Sequence, residues 1–259
     1  MMRNYSILLC AIIFVFSGCT LNNVTVDDSL QKYFTDNGLK GTFALYDNSH
    51  QTFTVYDLHR YKDSSYLPGG SFDIVSSLIA IETGRVNDQN SLVKTLPDTS
   101  KTAILKDAFK NSDSAVFATI ASSVGKDTLQ FWLDSLHYGK VKILSDNDNF
   151  WSNDSLKITA DEQLGFIEKL YASSLPFQKR TQQIVRDMML RESNTAYSFS
   201  YKTSWNKNIG WALGWIEENK HIYFFVINAE SIAATASQES LQKTLKDILT
   251  YEGFFKGEK

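Results

Sequence analysis

The stretch that decides the fold is LPGGSFDIVSSLIAIETG, which runs from Leu67 to Gly84. It begins with a Pro-Gly-Gly turn and continues as an apolar segment whose composition predicts a helix buried inside the protein. An acid, Asp73, lies in the first turn of this helix. A carboxylate near a helix N-terminus is favoured by the helix dipole, so its presence alone does not indicate a function.

Strand-like segments lie on both sides of this helix in the sequence. Residues 41–47 and 52–57 are β-rich runs joined by a polar loop, which predicts a hairpin. A helical block reaches to about residue 190, and three further strand-like runs (196–202, 209–217 and 221–229) precede an amphipathic helix at 237–251. This order predicts an α+β fold, with an antiparallel sheet built from both chain ends, flanked by helices, and an all-α lobe inserted between them.

Composition and residue spacing argue against several classes of function. With 259 residues, of which 43% are hydrophobic, the chain can bury a large core. The net charge is −3 and no run of Lys or Arg exceeds two residues, which argues against a nucleic-acid surface. The four histidines are scattered, and Asp146, Asp148 and Asp154 lack the glutamate that a calcium loop needs at its twelfth position. We therefore expect neither a metal site nor a cofactor.

The N-terminus has the features of an export signal. Arg3 precedes an apolar run over 7–16, and Ser17-Gly18-Cys19 follows. This pattern resembles a bacterial lipoprotein signal, in which Cys19 would be lipidated and anchor the protein to a membrane; the alternative is an ordinary secretory signal that leaves a plain thiol. Both predict an exported protein, and we expect it to be lipid-anchored in the bacterial cell envelope, facing the periplasm or the cell surface. We expect a signal peptide at 1–18, an unstructured tether at 19–29 and one domain at 30–259.

Several short motifs along the chain, taken in order, carry a resemblance to a known family. They are Lys32-Tyr33-Phe34, Leu67-Pro68, Ser114-Ala115-Val116, His137-Tyr138-Gly139, Phe150-Trp151, Lys202-Thr203 and Gly210-Trp211. In this order and at these spacings, from about Leu30 to Tyr251, the chain resembles the penicillin-recognising serine hydrolases. The similarity is closest to class D serine β-lactamases and the related sensor domains of β-lactam receptors, and it implies a β-lactamase/transpeptidase-like fold.

The resemblance also implies a Ser-x-x-Lys motif at the start of the central helix. In that family the serine attacks the substrate carbonyl and the carbamylated lysine takes its proton. Residues three apart on a helix share a face, so nucleophile and base can meet. Aligning Leu67-Pro68 and Phe72 with the family places Gly70 at the serine position and Asp73 at the lysine position. Both reactive groups are absent.

Ser71 is the alternative nucleophile, one position further along. Its same-face neighbours are Ile74 and Val75, which cannot accept a proton, and Asp73 is two residues away and points elsewhere. Ser204 also replaces the glycine of the family's Lys-Thr-Gly. The family's arginine for a substrate carboxylate is missing from residues 228–235.

The remaining cleft residues implied by the resemblance are Ser114, Val116, Trp151, Lys202, Thr203, Ser204 and Trp205. The backbone N–H groups of Gly70 and Trp205 would occupy the oxyanion-hole positions. Simpler interpretations are a helix N-cap for Ser114, a core aromatic for Trp151 and a strand-end lysine for Lys202. We expect an inactive protein that binds or senses a β-lactam, a peptidoglycan stem peptide or a protein partner; an active serine β-lactamase using Ser71 is the alternative.

Overall fold

The computed structural model describes residues 23–95, 98, 100–140, 142–143, 149–153, 155–234 and 236–259. Its helices are α1 (Gln31–Thr35), α2 (Leu58–Asp63), α3 (Asp73–Glu82), α4 (Leu105–Asn111), α5 (Ser114–Val124), α6 (Lys126–Leu136), α7 (Ala160–Tyr171), α8 (Lys179–Met189) and α9 (Gln238–Tyr251). Its strands are β1 (Val24–Val26), β2 (Leu39–Asp47), β3 (Thr52–Tyr56), β4 (Ser65–Tyr66), β5 (Leu92–Lys94), β6 (Thr102–Ile104), β7 (Ile158–Thr159), β8 (Leu190–Ser193), β9 (Tyr197–Asn206), β10 (Ile209–Glu218) and β11 (His221–Ser231). None of the helices in these ranges is both long enough and apolar enough to cross a bilayer.

The main sheet joins the two ends of the chain. In the described residues it has seven strands in the order β1-β3-β2-β11-β10-β9-β8. All neighbours are antiparallel except β1 and β3, which are parallel. The helical block from α3 to α8 is inserted between β3 and β8, and two short strand pairings, β4 with β7 and β5 with β6, lie within this stretch of the chain. The predicted α+β fold is therefore confirmed.

The two faces of the sheet bury different helices. Along β10, Leu213 and Trp215 pack with α3 and the helical block, whereas Ala212 and Ile216 pack with α1 and α9. This alternation is what the two-residue period of a strand produces. Because every residue of α3 from Asp73 to Ile81 is buried, this helix lies at the centre of the larger core.

The tether expected at 19–29 is wrong over its second half. Val24–Val26 forms β1 and pairs with β3, and the 3-10 helix Asp28–Leu30 follows directly. Asp27 N–H also donates to the carbonyl of Val55, so this segment belongs to the folded domain. A strand of three residues is too short to show alternation, which is why the sequence did not reveal it. The predicted signal peptide, Cys19, Asp146, Asp148 and Asp154 lie outside the described residues.

Candidate active-site cleft

A cleft of about 580 Å³ opens where the start of α3 meets the end of β9, the segment before α5 and residues 149–152. Six residues selected from the sequence line it: Gly70, Asp73, Ser114, Trp151, Ser204 and Trp205. Val116 and Lys202 lie beneath its walls and are fully buried. Thr203 is also buried, but its Oγ1 accepts a hydrogen bond from Gln242 Nε2 of α9 at 3.0 Å, on the other side of β9 from Lys202. The structure therefore brings the selected residues to the cleft in two layers, except Thr203.

The chain enters α3 through the 3-10 turn Gly69–Phe72. Gly69 has a φ of +52°, a conformation that favours glycine, and its N–H donates to the carbonyl of Trp151 at 2.8 Å. A Cβ added at Gly70 would lie 3.0 Å from both Ser112 Oγ and Ser204 Cβ. The side chain of Ser204 thus takes part of the space that a residue at position 70 would need.

Asp73, in the cleft wall, forms an ion pair with Lys202 behind it. Asp73 Oδ2 lies 2.9 Å from Lys202 Nζ, and the two side chains are 4% and 0% exposed. The contact lacks hydrogen-bond geometry at Asp73 Oδ2, so its attraction is mainly electrostatic. Lys202 Nζ also donates to Ser112 Oγ at 2.7 Å and to the carbonyl of Phe109. Three oxygens therefore surround an ammonium group that has three N–H bonds.

Burial and pairing act in opposite directions on this pair. Burial raises the pKa of Asp73 to about 6, although the charge of Lys202 opposes the shift. Burial likewise lowers the pKa of Lys202, and Asp73 opposes that shift. Since a pKa of about 6 leaves Asp73 ionised at neutral pH, the carboxylate and the ammonium compensate each other there.

Ser112 is the hydroxyl that contacts Lys202, and the sequence analysis missed it in favour of Ser114. Ser112 has a φ of +54° at the end of α4, and its Oγ donates to the carbonyl of Thr203 at 3.3 Å. The N-cap interpretation of Ser114 is also wrong, because Asp113 caps α5 by accepting from the N–H groups of Ala115 and Val116. Ser112 and Ser114 are separated by a single residue, and the path of the chain at the end of α4 is what brings Ser112 to Lys202.

Ser71 lies on the opposite side of the turn from the cleft. It is fully buried; its Oγ donates to the carbonyl of Pro68 at 2.8 Å and accepts from Gln163 Nε2 at 2.9 Å. Gln163 Oε1 in turn accepts from Tyr138 OH at 3.1 Å. These hydrogen bonds hold Ser71 in a buried polar network that supports the start of α3.

The two tryptophans of the cleft differ in exposure. Trp151 is 6% exposed and stacks on Phe72, with ring centroids 5.5 Å apart and an interplanar angle of 16°. It therefore serves both as a core aromatic and as part of the wall. Trp205 is half-buried, and its ring packs against Gly210, where a Cβ would lie 2.4 Å from the ring. Glycine at 210 is what lets the ring lie against β10.

Arg60 reaches the strand end that lacks the expected arginine. From α2, its Nε and Nη2 donate to Asn228 Oδ1 at 3.0 and 2.7 Å, and Nη1 pairs with Glu230 at 2.5 Å. Its guanidinium also lies 4.2 Å from the ring centroid of Tyr66. Arg60 is thus fully engaged within the protein and does not line the cleft.

Metal ligands are not gathered anywhere in the part of the chain that the structure describes, where no group of three or more His, Cys, Asp or Glu side chains is arranged to hold an ion.

Comparison with known proteins places this architecture in a family. The model of the penicillin-binding protein transpeptidase domain matches residues 36–250. Among curated proteins, the chain is 28% identical to β-lactamase OXA-20 of Pseudomonas aeruginosa over 238 residues, covering 88% of this chain and 89% of that protein. It is 28% identical to β-lactamase OXA-11 of the same organism over 267 residues, covering 98% of each.

Solved structures agree. The class D β-lactamase YbXI from Nostoc superposes with a TM-score of 0.80 at 26% identity, covering 87% of this chain and 99% of that one. FUS-1 (OXA-85), a class D β-lactamase from Fusobacterium nucleatum subsp. polymorphum, gives a TM-score of 0.79 at 30% identity, covering 91% and 100%. The chain therefore belongs to the penicillin-binding transpeptidase family and, within it, to the class D serine β-lactamases.

Proposed function

We propose that this protein is an exported, lipid-anchored member of the class D family that binds a ligand in its cleft without hydrolysing it. It would act as a binding or sensing module of the bacterial cell envelope. Its relatives are named for β-lactam hydrolysis, which requires a nucleophile and a proton acceptor in one cleft. The observation that carries the proposal is at the start of α3, where Gly70 has no hydroxyl and Asp73 is paired with Lys202. Neither a nucleophile nor a free proton acceptor is therefore present there.

Lys202 is unsuited to act as a general base. A general base must present a free lone pair to the proton that it removes. Lys202 Nζ instead donates to Ser112 and to the carbonyl of Phe109 and is paired electrostatically with the Asp73 carboxylate, surroundings that fit a protonated amine. Although burial lowers the pKa of Lys202, the adjacent carboxylate favours the protonated form.

The serines near the start of α3 therefore lack an activating partner. Ser112 Oγ accepts a hydrogen bond from Lys202 Nζ and donates its own hydrogen to the Thr203 carbonyl, which is not a base. Ser71 Oγ directs its hydrogen to the Pro68 carbonyl in the same way. An unactivated hydroxyl is a weak nucleophile at neutral pH.

The size of the expected reaction rate distinguishes this proposal from an active hydrolase. In serine hydrolases that lose the nucleophile and its partners, binding and the oxyanion hole retain on the order of 10³ to 10⁴ in rate over water. This remaining rate acceleration is far below what an efficient hydrolase achieves. Binding can persist, because the cleft and its backbone N–H groups do not depend on the missing side chains.

The test is covalent labelling. The purified full-length mature protein is incubated with benzylpenicillin and with a carbapenem, and its intact mass is measured; nitrocefin turnover is recorded in parallel. We expect no adduct and no turnover above buffer. An adduct would overturn the proposal, and peptide mapping would then locate it. The Ser71 alternative requires turnover that Ser71→Ala abolishes.

A further inference from the structure

The described lining of the cleft carries no uncompensated charge. Among the described residues that line it, Asp73 is the one charged side chain, and the others are glycine, alanine, serine, asparagine and tryptophan. Lys202 lies behind the wall with 0% exposure, and its charge is already compensated by Asp73 at 2.9 Å. A ligand entering the cleft therefore meets no free positive charge from its lining.

Other cations near this end of the sheet do not change that balance. The guanidinium of Arg60 is bonded to Asn228 and Glu230 and is not part of the lining. Lys207 follows the lining residue Asn206, but it lies in the exposed turn between β9 and β10. A ligand carboxylate in the cleft would thus lose hydration without gaining a cationic partner from the described lining, which is unfavourable.

The polar groups of the lining suit an uncharged ligand. Hydroxyl groups come from Ser112, Ser114, Ser152 and Ser204, and side-chain amides come from Asn149 and Asn206. Hydroxyls and amides both donate and accept, so they match ligand groups that do the same. Trp205 adds a half-buried indole, a flat apolar surface beside these groups. The volume of about 580 Å³ is within the range of small-molecule sites.

We propose that the cleft takes an uncharged ligand rich in hydroxyl and amide groups, such as an N-acetylated sugar unit, and disfavours carboxylates. This inference rests on the proposed function, since it assumes a cleft that binds without chemistry. An uncharged ligand leaves the Asp73–Lys202 pair intact, whereas a cationic ligand competes with Lys202 for the carboxylate.

The experiment compares two disaccharides that differ in charge. Calorimetric titration at pH 7.5, where Asp73 is ionised, is carried out with N,N′-diacetylchitobiose, which is neutral, and with the N-acetylglucosamine–N-acetylmuramic acid disaccharide, which carries a carboxylate. We expect the neutral disaccharide to bind at least about tenfold more tightly. Equal or tighter binding of the anionic disaccharide, or no binding of either, would overturn the inference.

Engineered charge in the lining gives a second readout. Ser152→Lys places a cation in the half-buried wall and should bring the affinity for the anionic disaccharide up at least several-fold. Ser155→Lys is the matched control, because Ser155 is exposed and outside the lining, and it should leave both affinities unchanged. Equal effects of the two variants would contradict the assignment of this cleft. Penicillin labelling is measured separately, so failure of sugar binding and failure of the non-hydrolytic function give different results.

Discussion

Asp73 on α3 and Lys202 on β9 form a fully buried ion pair, with Asp73 Oδ2 2.9 Å from Lys202 Nζ. This contact ties the first turn of the central helix to the sheet at the base of the cleft. A buried pair of this kind adds little net stability compared with apolar residues, but removal of one partner leaves an uncompensated charge. Because separating the two charges is unfavourable, the pair holds the first turn of α3 against β9.

Asp73→Ala should lower the free energy of unfolding by about 3–5 kcal/mol, because Lys202 would remain buried without a counter-ion. Urea denaturation followed by circular dichroism measures this loss. Lys243→Ala is the matched control; it breaks the exposed i,i+4 pair with Asp247 and should cost about 0.5 kcal/mol or less.

The double variant Asp73→Leu/Lys202→Met removes both charges and should be less destabilised than Asp73→Ala. If the double variant were at least as unstable as Asp73→Ala, the unpaired charge of Lys202 would not be the cause of the stability lost in Asp73→Ala.

The same pair predicts a dependence of stability on pH. Burial raises the pKa of Asp73 from 3.8 in the unfolded chain to about 6 in the folded protein, so folding takes up a proton within this window. The stability linked to that proton is fully present below pH 3.8 and is lost as the pH rises through 6. The full change is about 3 kcal/mol for a completely buried group.

The measurement is the difference in unfolding free energy between the wild type and Asp73→Asn from pH 4 to pH 7. We expect the wild type to lose stability relative to this variant as the pH rises. The contributions of titrating groups that do not contact residue 73, such as Glu230 with its lowered pKa, cancel in the difference. A difference that stays constant across the window would show that Asp73 does not titrate there.

The pattern of apolar residues predicted most of the fold. β-rich runs indicated the strands of the main sheet, and a continuous apolar run indicated α3, which is buried all round. Local patterns do not reveal β1, which has only three residues and depends on pairing with β3. They also do not reveal the pairing of Asp73 with Lys202, since this contact depends on how α3 lies against β9. Ser112 was missed for a related reason, although the predicted Ser114 does line the cleft: the left-handed conformation of Ser112 between two helices determines which hydroxyl contacts the lysine.

Cys19 provides a test of the export proposal, which the residue pattern at 7–19 motivates. In a bacterial expression host, the wild type should sediment with membranes and incorporate an alkyne-labelled fatty acid. Cys19→Ser should abolish the label and release the protein into the soluble fraction. Cys10→Ser is the control, because Cys10 lies within the expected signal and should leave labelling unchanged. An unlabelled wild type that is still exported would favour an ordinary secretory signal.

Gly70→Ser tests whether the cleft has adapted to the absence of a side chain at this position. The new Cβ would lie 3.0 Å from Ser112 Oγ and Ser204 Cβ, and both belong to short side chains with little freedom to move away. Crowding of this kind costs about 1–3 kcal/mol. Combining the change with Ser204→Gly removes one of the two contacts and should recover part of that loss, as thermal unfolding would show. Neither variant should hydrolyse nitrocefin, because the added hydroxyl would lie beside Ser112 and Ser204, neither of which is a base, and the buried Asp73 is already paired with Lys202. If Gly70→Ser were as stable as the wild type and became acylated by penicillin, then the missing hydroxyl alone, and not the Asp73–Lys202 pair, would account for a lack of turnover.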